Sequence, residues 1–378
     1  MSVPSEFTTA DRDLALPSLS MRDRVPLFHA IRHGIGPPMP DVTTATFDGV
    51  RGVIVAGYPL ARRILVSTVG VKSRPVRSQR QLGGVGALRD DQVRAAKADL
   101  LIALGREAAD IDSVRRHLEL GFARTGTTEN ALGALTEALS GALLAQLLGT
   151  RADLDPSFAL REAVFATWRH VESAVAEQDS PPGEPNVLDD HLSRTVAAHS
   201  SRFVETLRLR GWADERIIAE IRGMLLAGWG STSASVLSTL ALGAAESAAQ
   251  PAVQDEVLRL YPPSFMIARR VVEPIPGIPI DIGDIVLISP WLIHRNPAGW
   301  SAPDRFLPAR RCRDGSGPEW FLPFGIGARR CPAARFARTQ AAQACALLKS
   351  TPTPDDTVVR LIENRSPALV GQSWDTAR

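Results

Sequence analysis

Residues 321–341 read FLPFGIGARRCPAARFARTQA, and this stretch decides how the rest of the chain is understood. Phe324 is followed by Gly325 and Gly327, the spacing of a tight turn that lets backbone approach closely. Arg329 and Cys331 come next, and Pro332 opens an alanine-rich segment. Proline is favoured at the first helical position because its missing N–H would have no partner there. The reading therefore sets Cys331 at a helix N-terminus, where unpaired N–H groups and the helix dipole favour a thiolate. A supported thiolate on a rigid loop is what a soft axial ligand to haem iron requires. A lone cysteine on a glycine-rich turn would be read as structural; the residues around Cys331 outweigh that reading.

The segment resembles the signature of the cytochrome P450 family, Phe-x-x-Gly-x-Arg-x-Cys-x-Gly. Phe324, Gly327, Arg329 and Cys331 match it, and Ala333 replaces the final glycine. The resemblance implies haem b (iron protoporphyrin IX), with Cys331 as the metal ligand and Arg329 paired with a propionate. Phe324, Gly325 and Ala333 would then lie near the porphyrin. It also implies a fold that is mainly α with small β-sheets, the haem lying between a long distal helix and the cysteine loop with its proximal helix.

Further motifs follow in the order the family requires. Glu256-Val-Leu-Arg259 resembles its Glu-x-x-Arg helix, and Pro303-Asp-Arg305-Phe306 resembles the segment after it. Glu256 and Arg259 stand one helical turn apart and meet on one face. With Arg305 they are expected to form a buried acid–base cluster beneath the cysteine loop. Arg269, after the Pro262–Pro263 turn, falls where the family places a propionate-binding arginine. His294 is assigned similar work or a capping role. Arg115 matches the arginine of the family's His-x-x-x-Arg helix, with Phe122 following, but Ile111 replaces the histidine.

Leu226-Ala-Gly-Trp-Gly-Ser-Thr-Ser233 falls at the family's oxygen-binding groove. Glycine and serine inside a helix each cost up to ~1 kcal/mol relative to alanine, so a kink between Gly228 and Ser231 is expected. Gly230 occupies the position of the acid that relays protons, and Ser231 that of the threonine, with Thr232 beside it. Ala227 faces the haem. Leu226, Trp229, Phe265, Met266 and Ile267 are expected to line a substrate pocket, with residues 80–108 as a variable lid and Pro367 to Leu369 as a last wall. Their apolar character implies a hydrophobic small molecule.

The resemblance thus implies a monooxygenase that hydroxylates or epoxidises such a molecule with O2, in bacterial specialised metabolism. Arg310, Arg311, Arg313, Arg330, Arg335 and Arg338 form either a docking face for an acidic ferredoxin, itself served by a ferredoxin reductase, or a solvated rim. The missing acid favours a second reading, peroxide-driven or non-oxygenating chemistry such as coupling, isomerisation or dehydration. A third is a non-catalytic haem or ligand-binding protein.

Composition sets the outer bounds. The 378 residues are 44% hydrophobic and 22% charged, an ordinary balance for a large core. A net charge of +2 demands neither nucleic acid nor an anionic membrane. Met1 to Arg24 has no apolar run, so the expectation is a cytoplasmic monomer with no signal peptide or anchor. Cys312, Cys331 and Cys345 are too few and too scattered for a disulfide framework or structural zinc. Lysine occurs only at Lys72, Lys97 and Lys349 among abundant arginine and alanine, a bias of GC-rich bacterial genomes.

Along the chain, Phe47 to Ala56 reads as two strands, Pro59 to Val66 as a short helix and Gln92 to Gly149 as mostly helical. Ser180 to Pro185 is a loop between helices at Ser157 to Gln178 and Val187 to Arg210. Asp214 to Ser247 is the longest helical candidate, Val253 to Leu260 a helix ended by prolines, and Ile267 to Ser289 a run of short strands. No linker of distinct composition interrupts the chain, so residues 1–378 read as one domain.

Overall fold

A computed structural model describes residues 9–16, 24–35, 39–47, 50–66, 84–88, 90–106, 112, 114–119, 131–149, 162–164, 166–167, 187–198, 201–271, 273, 280–311, 319–362 and 366–375. Contacts divide the chain into two compact units. The first comprises Met1–Arg74, Pro251–Cys331 and Glu363–Pro367; the second comprises Pro75–Gln250, Pro332–Ile362 and Ala368–Arg378.

The first unit is built on a five-stranded sheet. Its strands are β1 (Thr9–Leu16), β2 (Val42–Phe47), β3 (Val50–Val55), β4 (Ile267–Arg270) and β5 (Ile285–Ile288), in the order β1-β2-β3-β5-β4. Of the two strands read within residues 47–56 only β3 lies there; its antiparallel partner β2 precedes that stretch and ends at Phe47. Gly52 lies inside β3, where a Cβ would stand 2.3 Å from the carbonyl oxygen of Ile285. Its glycine is needed for strand approach. Helices α1 (Val25–Gly34) and α2 (Tyr58–Val66) belong to this unit. Val53, Val55, Val286 and Ile288 of the sheet bury against Leu60 and Ile64 of α2.

The second unit is mainly helical. It contains α3 (Gly84–Ala87), α4 (Asp90–Arg106), α5 (Ala131–Leu148), α6 (Val187–Ala198), α7 (Arg202–Leu209), α8 (Asp214–Gly228) and α9 (Ser231–Ala241). Further along the chain come α10 (Pro251–Leu260) and α11 (Pro290–Ile293) in the first unit and α12 (Ala334–Leu347) in the second. Strands β6 (Thr357–Ile362) and β7 (Ser366–Gly371) pair into a two-stranded sheet. Leu135, Leu139 and Ala142 of α5 pack with Val236, Leu237 and Leu240 of α9 and Ala344 and Cys345 of α12. The expected mainly α fold with small sheets is the one observed.

The segment read as one helix from Asp214 to Ser247 is two. Helix α8 ends at Gly228, Trp229 is extended, and Gly230 adopts φ +80° before α9 begins at Ser231. Helix α9 stops at Ala241, and a single 3-10 turn covers Ala245–Ser247. The kink foreseen from the small residues is a complete break, since one left-handed residue ends the helical hydrogen-bond run.

Glu220, one face of α8, ties that helix to residues 84–88. The N–H of Val85 donates to Glu220 Oε2 at 2.6 Å, and Gly84, with φ +59°, brings its backbone so close that a Cβ would meet the same oxygen at 2.4 Å. Burial raises the Glu220 pKa from 4.5 to about 7, against the opposing pull of the Val85 N–H and Arg216. A carboxyl shifted upward contributes stability that is full below its unfolded value and lost as pH rises through about 7. Glu220→Gln keeps an oxygen for Val85 without the charge. In urea unfolding the variant should exceed the wild type by about 3 kcal/mol at about pH 8 and match it within about 1 kcal/mol near pH 4.

Candidate haem-thiolate site

The cysteine loop is shaped by glycines and backbone bonds of the first unit. The Gly325 N–H donates to Leu322 O at 3.0 Å and the Cys331 N–H to Phe324 O at 2.9 Å, closing the loop on itself. Gly325 and Gly327 have φ of +67° and +73°, left-handed values that favour glycine. At Gly327 a Cβ would lie 2.5 Å from the carbonyl oxygen of Leu65, so α2 sits against this turn. Cys331 ends the loop with its side chain exposed. Pro332 and Ala333 form a turn and α12 starts at Ala334, so Pro332 is not the first helical residue as read from sequence. Cys331 therefore precedes the helix by a short turn.

Beneath the loop lies an ion cluster with Glu256 and Arg259 both fully buried. Arg259 Nε donates to Glu256 Oε2 and its Nη2 to Oε1, each at 2.8 Å. The remaining donors reach His294 O at 2.8 Å, Pro303 O at 2.5 Å and Arg305 O at 3.0 Å. Every N–H of the guanidinium has an acceptor. Arg305 contributes only that carbonyl; its side chain is exposed, so it is not the cluster's third ionic member. That member is Arg310, whose Nε donates to Glu256 Oε1 at 3.0 Å beside the Leu307 N–H at 2.9 Å. The arginine was misplaced because Pro-x-Arg-Phe resembles the motif, whereas Arg310 has the reach. Arg310 is thereby also withdrawn from the docking rim; among its companions there, Arg330 and Arg335 are exposed and Arg338 is half-buried, while Arg313 lies outside the described residues.

His294 does not serve a propionate. It is fully buried, its Nε2 accepts the Leu322 N–H at 3.0 Å and its Nδ1 lies 3.1 Å from Arg259 O, so both ring nitrogens are committed to the protein. Arg269 shares one half-buried face of β4 with Ile267, whose Cδ1 is 3.9 Å from the Cβ position of Gly325. Ile267 is thereby brought to the cysteine loop. Arg329 and Phe324 are half-buried in the loop itself, and Met266 is half-buried before β4. Phe265 is a core residue instead: its ring meets Phe28 edge-on, with centroids 5.2 Å apart.

In the second unit, Ser231 Oγ donates to Gly228 O at 3.1 Å across the helix break. Thr232 is buried, Ala227 is exposed and Ala333 half-buried. Leu226 and Trp229 are buried, and the Trp229 indole N–H has no partner. Arg115 is exposed on the helical residues 114–119, whereas Ile111 and Phe122 lie outside the described residues. Ala368 and Leu369 are buried on β7. Cys345, packed between helices, has its thiol pushed up to about 12 by burial and is inert at neutral pH. Cys312 lies outside the described residues.

The loop's residues suit a haem. An exposed soft sulfur stands at the end of a turn shaped by two positive-φ glycines, with the Arg329 guanidinium in the same loop for a carboxylate. Residues 249–349 match the family model "Cytochrome P450". Among curated relatives, cytochrome P450 3A27 of Oncorhynchus mykiss is 42% identical over 91 residues, 22% of this chain and 17% of that protein. (+)-Menthofuran synthase of Mentha piperita is 38% identical over 93 residues, 23% of this chain and 19% of that protein. The chain thus matches under a fifth of the length of these relatives. The solved structure of retinoic acid bound cyanobacterial CYP120A1 superposes over 94% of this chain and 99% of that one, with TM-score 0.66 and 16% identity.

Two substitutions separate the roles assigned here. Arg310→Ala should cost about 3 kcal/mol in denaturant unfolding, because it leaves Glu256 under-neutralised, while Arg305→Ala should stay within about 0.5 kcal/mol. Gly230→Ala should cost about 1–2 kcal/mol by the same measurement, the strain of a Cβ in the left-handed conformation.

Proposed function

We propose that the chain, which has the fold of a cytochrome P450 and matches that family's model over residues 249–349, is a haem-thiolate monooxygenase of a hydrophobic small molecule. The observation that carries this reading is the exposed Cys331 at the end of its pinned loop. The family and fold carry haem, iron protoporphyrin IX. Cys331 would hold its iron, and Arg329, Arg269 and Arg115 would pair with its propionates. When bound, that group activates dioxygen for insertion into an unactivated bond. Electrons would come from a separate ferredoxin and its reductase, met at the exposed Arg330 and Arg335. The bacterial, cytoplasmic, monomeric and specialised-metabolic setting belongs to the same proposal. No described helix is long and apolar enough to cross a membrane.

The protein's own part in proton handling is unusual. Ser231 keeps a hydroxyl beside the helix break, but its proton is held by Gly228 O. Gly230 has no side chain to relay a proton, and its φ of +80° disfavours an acid there. A water molecule or a hydroxyl on the substrate would then carry protons in place of the missing acid. This same feature supports a second reading, in which peroxide replaces reductant and O2, or the bound group rearranges the substrate without inserting oxygen. If the chain proves to bind haem and ligand without any turnover, the non-catalytic reading takes its place.

Product formation with ferredoxin, ferredoxin reductase and NAD(P)H should exceed that with hydrogen peroxide, using a substrate found by Soret shift. The opposite order would establish the second reading. Cys331→Ser should fold and lose the red-shifted Soret band of the reduced carbon monoxide complex; retention of that band would remove the thiolate assignment altogether.

A further inference from the structure

The buried ring of His294 joins two segments that the ion cluster alone does not join. On one side, Arg259 Nη1 donates to His294 O at 2.8 Å while His294 Nδ1 faces Arg259 O at 3.1 Å, a reciprocal pair linking α10 to the turn after α11. On the other side, the Leu322 N–H donates to His294 Nε2 at 3.0 Å. An acceptor at Nε2 requires the proton at Nδ1, and Nδ1–H then donates to Arg259 O, so the two bonds select one neutral tautomer. Phe321 stacks on the imidazole with centroids 5.6 Å apart and planes 24° apart, while Trp300 meets it edge-on at 6.3 Å. Leu322 in turn accepts the Gly325 N–H, the first turn of the cysteine loop.

We infer that His294 is a positioning residue for the thiolate, setting the register of the Cys331 loop against the Glu256–Arg259 helix through the Leu322 N–H. The path is continuous: Arg259 O, the His294 ring, Leu322 N, Leu322 O, Gly325 N, and then the turn that ends at Cys331. Without the ring nitrogen, a buried backbone N–H at Leu322 loses its acceptor and the loop's entry is released while the ion cluster below stays intact. The inference rests on Cys331 being the axial ligand, and its test is arranged so that each can fail separately.

His294→Gln and His294→Asn divide the two bonds. The glutamine oxygen reaches the place of Nε2 and keeps the Leu322 bond, whereas the asparagine nitrogen reaches the place of Nδ1 and keeps only the bond to Arg259 O. In the haem-loaded protein, hydrogen exchange at the Leu322 amide should accelerate roughly tenfold in His294→Asn and stay close to wild type in His294→Gln, since losing a bond to a buried donor shifts an opening equilibrium by about that factor. The reduced carbon monoxide complex should convert from the thiolate band to the band of the displaced ligand faster in His294→Asn, with glutamine restoring the wild-type rate. Equal behaviour of the two variants, or rescue by asparagine alone, would overturn the inference. His294→Phe serves as the packing control: a wild-type spectrum in that variant would also overturn it. A wild type lacking the thiolate band would instead overturn the axial-ligand assignment, and the exchange measurement would still report whether His294 holds Leu322.

Discussion

A guanidinium withdrawn from water must have its charge opposed and its donors filled, and in this protein Arg259 meets both conditions at once. Burying such an ion costs several kcal/mol even after relaxation. The opposing charge is Glu256, one turn back on α10, and the remaining donors go to carbonyls of residues 294, 303 and 305. Two separate stretches of backbone, at residue 294 and at residues 303–305, are therefore held by one side chain. Since no acceptor can be lost cheaply, the path of the chain after α11 has little freedom, and Leu322 inherits that constraint through His294. The cysteine loop is rigid because the polypeptide entering it is tied to a buried ion.

The second unit answers a different demand. Its segment 226–233 is interrupted by two extra-helical residues, Trp229 and Gly230, between α8 and α9. The left-handed Gly230 makes the break and also excludes the acid that the family usually has there. Structure and chemistry are thus coupled at one position: an L-residue carrying a carboxylate would pay backbone strain, while glycine leaves proton delivery to other groups. Ser231, bonded back to Gly228 O, caps the end of α8 as much as it offers a hydroxyl.

The features readable from sequence were those written in short-range chemistry. Glycines before a cysteine, Glu and Arg one turn apart, and alternating β-branched residues each carry their meaning within a few positions. The cysteine loop, α10 and strand β3 were legible for that reason. What was not legible depended on reach across tens of residues. Arg305 sits inside the motif and was preferred to Arg310, but only the folded loop shows which guanidinium arrives at Glu256, 54 residues away. His294 was assigned either a propionate contact or a capping role, and nothing local reveals that Leu322 needs its nitrogen. The division of residues 214–247 into two helices hinged on whether Gly230 would be left-handed, a choice set by packing around it. Strand β1 carries charges that mask its alternation, and it was not foreseen.

These two regions bear unequally on the reaction. The sequence match to relatives spans residues 249–349, which hold the ion cluster, His294 and the cysteine loop. That span holds Cys331 and the groups tied to its loop, and every reading proposed for this chain needs them, including the non-catalytic one. The residues that decide what happens on the open side of the bound group, 226–233, fall outside the match. Kinship therefore argues for the metal and its ligand, whereas the choice between oxygen insertion and another chemistry turns on how a groove with a serine and a left-handed glycine obtains its protons. That choice is one of proton supply, and Gly230 supplies no side chain for it while the Ser231 hydroxyl is bonded back to Gly228 O.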